Sequence, residues 1–181
     1  VETNLFSQLP ASRRIAVGDV NNDLRMDLLS LGADTLSAVI QGSEDVSSIA
    51  SDVSQVQRIQ LVDYDNDGWL DLIGIGAEGL RSWRNRGLEG FEETTDSLGL
   101  AGLDLGGPVA TVKFADLDND CDSDVLLTLA DQSIKVLRNE GGNQNRQLKL
   151  RLEGSRSNPS ALGVKLEITS GGLRMIRTVK E

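Results

Sequence analysis

The chain has 181 residues, enough for one domain of ordinary size or a domain with a small appendage. Its 39% hydrophobic content sustains a core, but aromatics reach only 3% and no apolar run approaches the ~18 residues of a membrane span, so membrane insertion is not expected. A net charge of −10 argues against nucleic acid, whose partners carry a basic stripe, and the absence of histidine removes Ser-His-Asp and Cys-His chemistry from this chain.

Residues 1–14 are polar and mixed, with Pro10, and read as the tail of a preceding unit. The chain begins at Val1 rather than Met and no signal peptide is visible, as expected of a processed product or an excised piece. Ile15-Ala16-Val17 then enters an acidic loop, Asp19 to Asp27, and Leu28-Leu29-Ser30-Leu31 leaves it. Gly32-Ala33-Asp34 is a turn into a short strand, Leu36 to Ile40. Residues 43–54 are rich in Ser and Asp and read as a surface connection, with Ile49 and Val53 at the spacing of one helical turn. The pattern recurs. Arg58 to Val62 alternates into a second loop, Asp63 to Asp71; Leu72 to Ile75 leaves it; Gly79 turns the chain into Leu80-Arg81-Ser82-Trp83. A Phe91-containing segment and a glycine-rich connector at 94–107 follow. The third copy enters on Val109 to Phe114, loops through Asp116 to Asp124, and leaves on Val125 to Leu129, with Ile134 to Gly141 beyond.

The loops start 44 and 53 residues apart, a period within the range of propeller and array units. Short apolar or alternating runs bounded by Gly and Asp favour strands over helices. The expected fold is all-β, with about four antiparallel strands per unit, the blades of a β-propeller: three blades or a partial propeller. From Asn143 the character changes, and Gly142-Asn143-Gln144-Asn145 reads as a linker. Leu148 to Leu152 and Val164 to Ile168 alternate as half-buried strands, and Gly171-Gly172 offers a hairpin turn into Leu173 to Val179. The expected division is residues 1–142 for the repeats and 143–181 for a short β-rich segment.

The three nine-residue loops hold twelve of the 28 acidic residues and one base, Arg25; outside them sixteen acids face seventeen bases. So dense a charge is self-repelling unless a cation sits within it. Each loop offers side-chain oxygens at its first, third, fifth and ninth residues and a carbonyl at its seventh. The candidate ligands are Asp19, Asn21, Asp23, the Arg25 carbonyl and Asp27; Asp63, Asp65, Asp67, the Trp69 carbonyl and Asp71; Asp116, Asp118, Asp120, the Asp122 carbonyl and Asp124. Calcium takes 6–8 such oxygens, so up to three Ca2+ ions are expected, with magnesium second choice. Zinc and copper do not fit, because histidine is absent and the only cysteine, Cys121, stands alone. A helix-loop-helix site is excluded by Ser30, Gly74 and Leu127 at the twelfth place, where a bidentate Glu is required. The plainer alternative is that these Asp and Asn residues only cap turns. The loops are unequal. The second is complete, with Gly68 in sixth place. The third has Cys121 there and keeps its ligand carboxylates. The first has Leu24, whose left-handed backbone costs roughly 1–2 kcal/mol, and a neutral Asn21.

Gly18-Asp19-Val20-Asn21-Asn22-Asp23 and Val62 to Gly68 resemble the FG-GAP repeats of integrin α-subunit propellers and their bacterial, VCBS-like relatives. Trp83-Arg84-Asn85-Arg86-Gly87 with Phe91, and Leu137 to Gly141, resemble the end of a blade in the same group. Leu148 to Gly154, Ser157-Asn158 and Gly163-Val164-Lys165 resemble the start of the ASPIC/UnbV segment that follows such repeats. The resemblance implies a propeller that is extracellular, displayed on the cell surface or periplasmic, with calcium stiffening its loops and a protein or carbohydrate partner. Three units are too few to close a ring of about 4–8 blades, so self-association or a longer parent protein is expected. Adhesion or binding is the leading function. The alternatives are part of a secreted enzyme, such as a carboxylate-dependent hydrolase, and a passive spacer in a large surface protein. Trp69 is expected to pack on a neighbouring strand, Trp83 to be core, Cys121 to be inert, and Arg13-Arg14 to be a solvated pair.

Overall fold

The structure is a computed structural model that describes residues 11–43, 45–77, 79–141, 144–145, 148–155 and 158–179. Pro10, the first half of the linker, Gly142-Asn143, and Ser157 lie outside the described residues. The chain forms β1 (Arg14–Gly18), β2 (Asp27–Leu31), β3 (Thr35–Val39) and β4 (Val46–Ser51), then β5 (Val56–Val62), β6 (Asp71–Gly76), β7 (Gly79–Asn85) and β8 (Phe91–Glu93). A third run comprises β9 (Val109–Ala115), β10 (Asp124–Leu129) and β11 (Ile134–Leu137), and a hairpin of β12 (Lys165–Ser170) and β13 (Leu173–Thr178) follows. One 3₁₀ turn, Gly87–Glu89, precedes β8. No helix among the described residues is long and apolar enough to cross a membrane.

Pairing is antiparallel throughout and follows chain order, giving sheets β1-β2-β3-β4, β5-β6-β7-β8 and β9-β10-β11 and the two-stranded β12-β13. Two of the expected four-stranded units are therefore present, and the third stops at three strands among the described residues. Two further expectations are corrected. Val46–Ser51, taken as surface connection with a helical turn, is the strand β4, paired with β3 from Val39↔Val46 to Thr35↔Ser51. Its serines lie on the exposed side while Ile49 and Ala50 pack against the core. Leu148 to Leu152 alternates like a strand but takes no strand partner, and Leu148 and Leu150 stay exposed.

The three large sheets stack face to face with two cores between them. Leu29, Leu31, Leu36 and Ala38 of the first sheet meet Val56, Leu72 and Trp83 of the second. The other face of the second sheet, Ile73, Ile75 and Leu80, meets Val109, Val112, Leu127 and Leu129 of the third. Every residue of β2 and β6 is buried, and β6, in the middle sheet, has a core on each face, so Leu72-Ile73 and Ile75 are apolar on both sides. Packing differs between the cores. A Cβ at Gly74 would lie 2.8 Å from Cζ3 of Trp83, so the indole fits only because position 74 has no side chain. At the matching places the third sheet carries Leu127 and Leu137, two medium side chains instead of one large and none.

An arginine ties each pair of sheets. Arg13 donates to the carbonyl of Val56 at 3.3 Å and to Gly32 O and Ala33 O, and Arg58 donates to the carbonyl of Val109 at 3.2 Å. Arg13 is thus an inter-sheet anchor, which corrects the expectation of a merely solvated pair. Leu127 is fully buried whereas Val136 is 47% exposed. Leu127→Ala is expected to cost about 2–5 kcal/mol. Val136→Ala is expected to stay within about 0.5 kcal/mol. Urea unfolding midpoints check both.

Candidate metal centres

In each large sheet the acidic loop joins the first strand to the second. It closes by the same two left-handed residues every time. The fourth place has φ 55° at Asn22, 56° at Asn66 and 64° at Asn119; the sixth has 70° at Leu24, 90° at Gly68 and 76° at Cys121. The sixth place was expected from the glycine; the fourth was not, although asparagine, which tolerates this conformation, stands there in all three copies. The sixth-place N–H then donates to the first aspartate: Leu24 to Asp19 at 3.0 Å, Gly68 to Asp63 at 3.1 Å, Cys121 to Asp116 at 3.2 Å. Gly68 meets a second demand, since a Cβ there would lie 2.4 Å from Cδ2 of Leu173 in β13.

The ninth residue is the first of the second strand and is fully buried: Asp27, Asp71 and Asp124. One oxygen accepts from the loop's second N–H, that of Val20, Tyr64 or Leu117, at 2.9, 3.1 and 2.9 Å. The other accepts from the N–H of Gln41, Asn85 or Asn139, at or just after the end of the third strand, at 2.9, 2.8 and 2.9 Å. The fifth residue turns back on the seventh: Asp23 accepts from Arg25 N, Asp67 from Trp69 N and Asp120 from Asp122 N. The Trp69 ring lies on the turn at Gly87, and Trp83 is core at 1% exposure. Cys121 is an exposed free thiol.

Two loops gather carboxylates. Asp63, Asp65 and Asp71 bring one oxygen each within 4.8 Å of one another, and so do Asp116, Asp118 and Asp124. These are the first, third and ninth places; Asp67 and Asp120 stand outside the trios. Asp63 Oδ1 and Asp116 Oδ1 are buried and accept no hydrogen bond among the described residues. Buried oxygens without a donor are costly, and an all-carboxylate set with such oxygens fits a hard divalent cation. Loop one makes no such acidic trio among the described residues. Its third place is Asn21, whose amide donates to Asp23 Oδ2 at 3.1 Å.

Four cationic side chains that loop spacing did not reveal balance these groups. Arg84 lies 2.5 Å from Asp65 and 3.1 Å from Asp67. Arg177 lies 3.8 Å from Asp63 and donates to Gly68 O at 3.1 Å. Arg138 pairs with Asp118, and Lys149 pairs with Asp116. In loop one, Arg25 lies 3.6 Å from Asp23. Asn145 adds a bond to the carbonyl of Asp65 at 2.9 Å, so the C-terminal segment lies against the acidic loops.

Burial, with the neighbouring Asp67 charge, pushes Asp63 up to about 6. Burial pushes Asp71 up to about 8, outweighing its two backbone donors. Asp19, Asp27 and Asp65 are raised, again chiefly by burial. Burial and the Asp120 carboxyl raise Asp122 to about 6. Asp116 moves the other way, held down by the Lys149 hydrogen bond. A carboxyl raised in the folded state binds its proton more tightly there than in the unfolded chain, so its stabilising effect is present at low pH and lost as pH rises through the folded value. For Asp63 and Asp71 that window runs from about 4 to about 6 and 8. In chelator these two groups are expected to lower stability as pH rises from 5 to 8, and a divalent cation is expected to restore more at pH 8 than at pH 5. Thermal melts at both pH values, with chelator and with calcium, measure the difference.

A comparison with curated proteins gives no match. A scan against family models gives one for the second loop through the third: residues 63–127 match the FG-GAP-like repeat.

Proposed function

We propose that this chain is a calcium-binding β-propeller module whose ions are structural and whose role is adhesion or the binding of a protein or carbohydrate partner, outside the cell, on its surface or in the periplasm. The observation that carries the reading is the repeated acidic trio with an inward first-place oxygen that no donor satisfies, in loops two and three. The FG-GAP-like match over residues 63–127 supports it. Each large sheet is then a blade, with the ion bound where the first strand bends into the second. The ligands are those of the three loops, strongest in Asp63-Asp65-Asp71 and Asp116-Asp118-Asp124. Asp19, Asn21 and Asp23 make the weakest site, having one carboxylate fewer. Calcium is preferred to magnesium because the loops offer many oxygens on a flexible backbone rather than a strict octahedron.

Residues 143–181 are read as the beginning of an ASPIC/UnbV-like segment, within which β12 and β13 pair as a hairpin. Three blades fall short of the 4–8 of a closed ring, so closure takes further blades or a second copy. Catalysis is not part of this reading: the clustered carboxylates are committed to backbone donors, to arginine and lysine, and to the ion.

A site bound at tenfold over its Kd adds about 1.4 kcal/mol. For a chain of this size each filled site is expected to raise the Tm by about 3–6 °C over the value in chelator. Asp63→Asn and Asp116→Asn should each remove one increment, and magnesium should supply less than calcium. Equal melting curves with calcium and with chelator would sink the proposal.

A further inference from the structure

Successive acidic loops are wired to one another by two asparagine side chains that run in opposite senses. Asn22, fourth in loop one, donates from Nδ2 to the carbonyl of Gly68, sixth in loop two, at 3.2 Å. Asn66, fourth in loop two, donates in the same way to the carbonyl of Cys121, sixth in loop three, at 2.8 Å. The return bonds come from the end of the third strand. Asn85 Nδ2 donates to the carbonyl of Val20 in loop one, and Asn139 Nδ2 to the carbonyl of Tyr64 in loop two, both at 2.7 Å.

Both ends of these bonds bear on ligand groups. The peptide unit of Cys121 that accepts from Asn66 carries the Asp122 N–H, which donates to Asp120 at 3.1 Å. Asn139 holds the Tyr64 carbonyl with its side chain while its own N–H holds Asp124 Oδ1 at 2.9 Å. The N–H of Tyr64 in turn holds Asp71 Oδ2 at 3.1 Å. The ninth-place carboxylates of loops two and three are therefore joined through one asparagine and one tyrosine residue. Chains of this kind reinforce one another when the terminal acceptors are fixed.

We infer that Asn66 and Asn139 are positioning residues that couple the second and third centres, so that a divalent cation in either raises the affinity of the other. The inference rests on the calcium reading above and goes beyond it: independent ions in separate loops would satisfy that reading equally well. By linkage the effect is reciprocal, and allosteric couplings of this size change affinity fivefold or more.

The test titrates the full chain with calcium, following loop two through the fluorescence of Trp69 and both loops by calorimetry. Loop three is disabled by Asp116→Asn with Asp118→Asn. The coupling is removed by Asn66→Gly, which suits the φ of 56° at that place, or by Asn139→Ala, which keeps the backbone N–H on Asp124. Disabling loop three is expected to weaken loop two at least fivefold in the native background and less than twofold in the Asn66→Gly or Asn139→Ala background. Equal factors in the native and both variant backgrounds, or no effect of loop three on loop two in the native chain, would overturn the coupling and leave calcium binding intact. A native chain with no calcium response would overturn the calcium reading, and the coupling with it. A loss of fold alone would lower both affinities without changing their ratio, so the ratio reports positioning.

Discussion

One buried aspartate holds each large sheet to its own loop. Asp27, Asp71 and Asp124 each open a second strand and draw in two backbone N–H groups, one from the start of the loop and one from the end of the third strand or just beyond. Three segments of chain thereby meet at one carboxyl group. A hydrogen bond contributes about 0.5–1.5 kcal/mol net, and leaving one of these donors unpaired in the core would cost about 1–3 kcal/mol. A carboxylate has about four lone-pair sites. Two are engaged by the backbone, and in loops two and three the same carboxyl group also belongs to the acidic trio. The group that organises the sheet is therefore also free to serve as a ligand, and the two roles reinforce each other.

Charge density sets the second constraint. Packing carboxylates at the mouths of adjacent sheets is tolerable when each has a cation or a donor close by. Arg84 and Arg177 serve loop two, and Arg138 and Lys149 serve loop three. Loop one answers differently, by replacing a carboxylate with Asn21, which donates where its counterparts only accept. The loops thus share one backbone path and differ in how much charge they must neutralise. The arginine ties at the opposite end of the stack, from Arg13 and Arg58, use neutral carbonyls and carry no such burden.

Much of this was readable in the residues. Short apolar or alternating runs located the first and second strands of each unit, and the recurring aspartates marked the trios. Gly68 announced a left-handed sixth place that Leu24 and Cys121 also adopt. What stayed hidden depends on partners distant in the chain. The cations that meet the loops come from far off: Arg84 is 17 residues from Asp67, and Arg177 is 109 from Gly68. Val46–Ser51 looked like a surface connection because serine dominates it, yet a strand at a sheet edge needs only its inward side chains, here Ile49 and Ala50, to be apolar. Leu148 to Leu152 shows the converse: alternation makes a segment eligible for a sheet and does not supply the neighbour it must pair with. The fourth-place asparagines were in view three times, but their bonds cross from one unit to the next, which loop spacing alone does not express.

The exchange of Gly74 and Trp83 in one core for Leu127 and Leu137 in the next also bears on how the chain reaches its native state. Arrays of like units are prone to trading strands, within a molecule or between molecules, because each unit offers its neighbours a near copy of the correct partner. Here a strand that entered the wrong unit would force an indole against a leucine or leave a hole of similar size. Divergence in side-chain volume at matched places thus acts as an address, sorting each segment to its own sheet while the backbone template stays common to all.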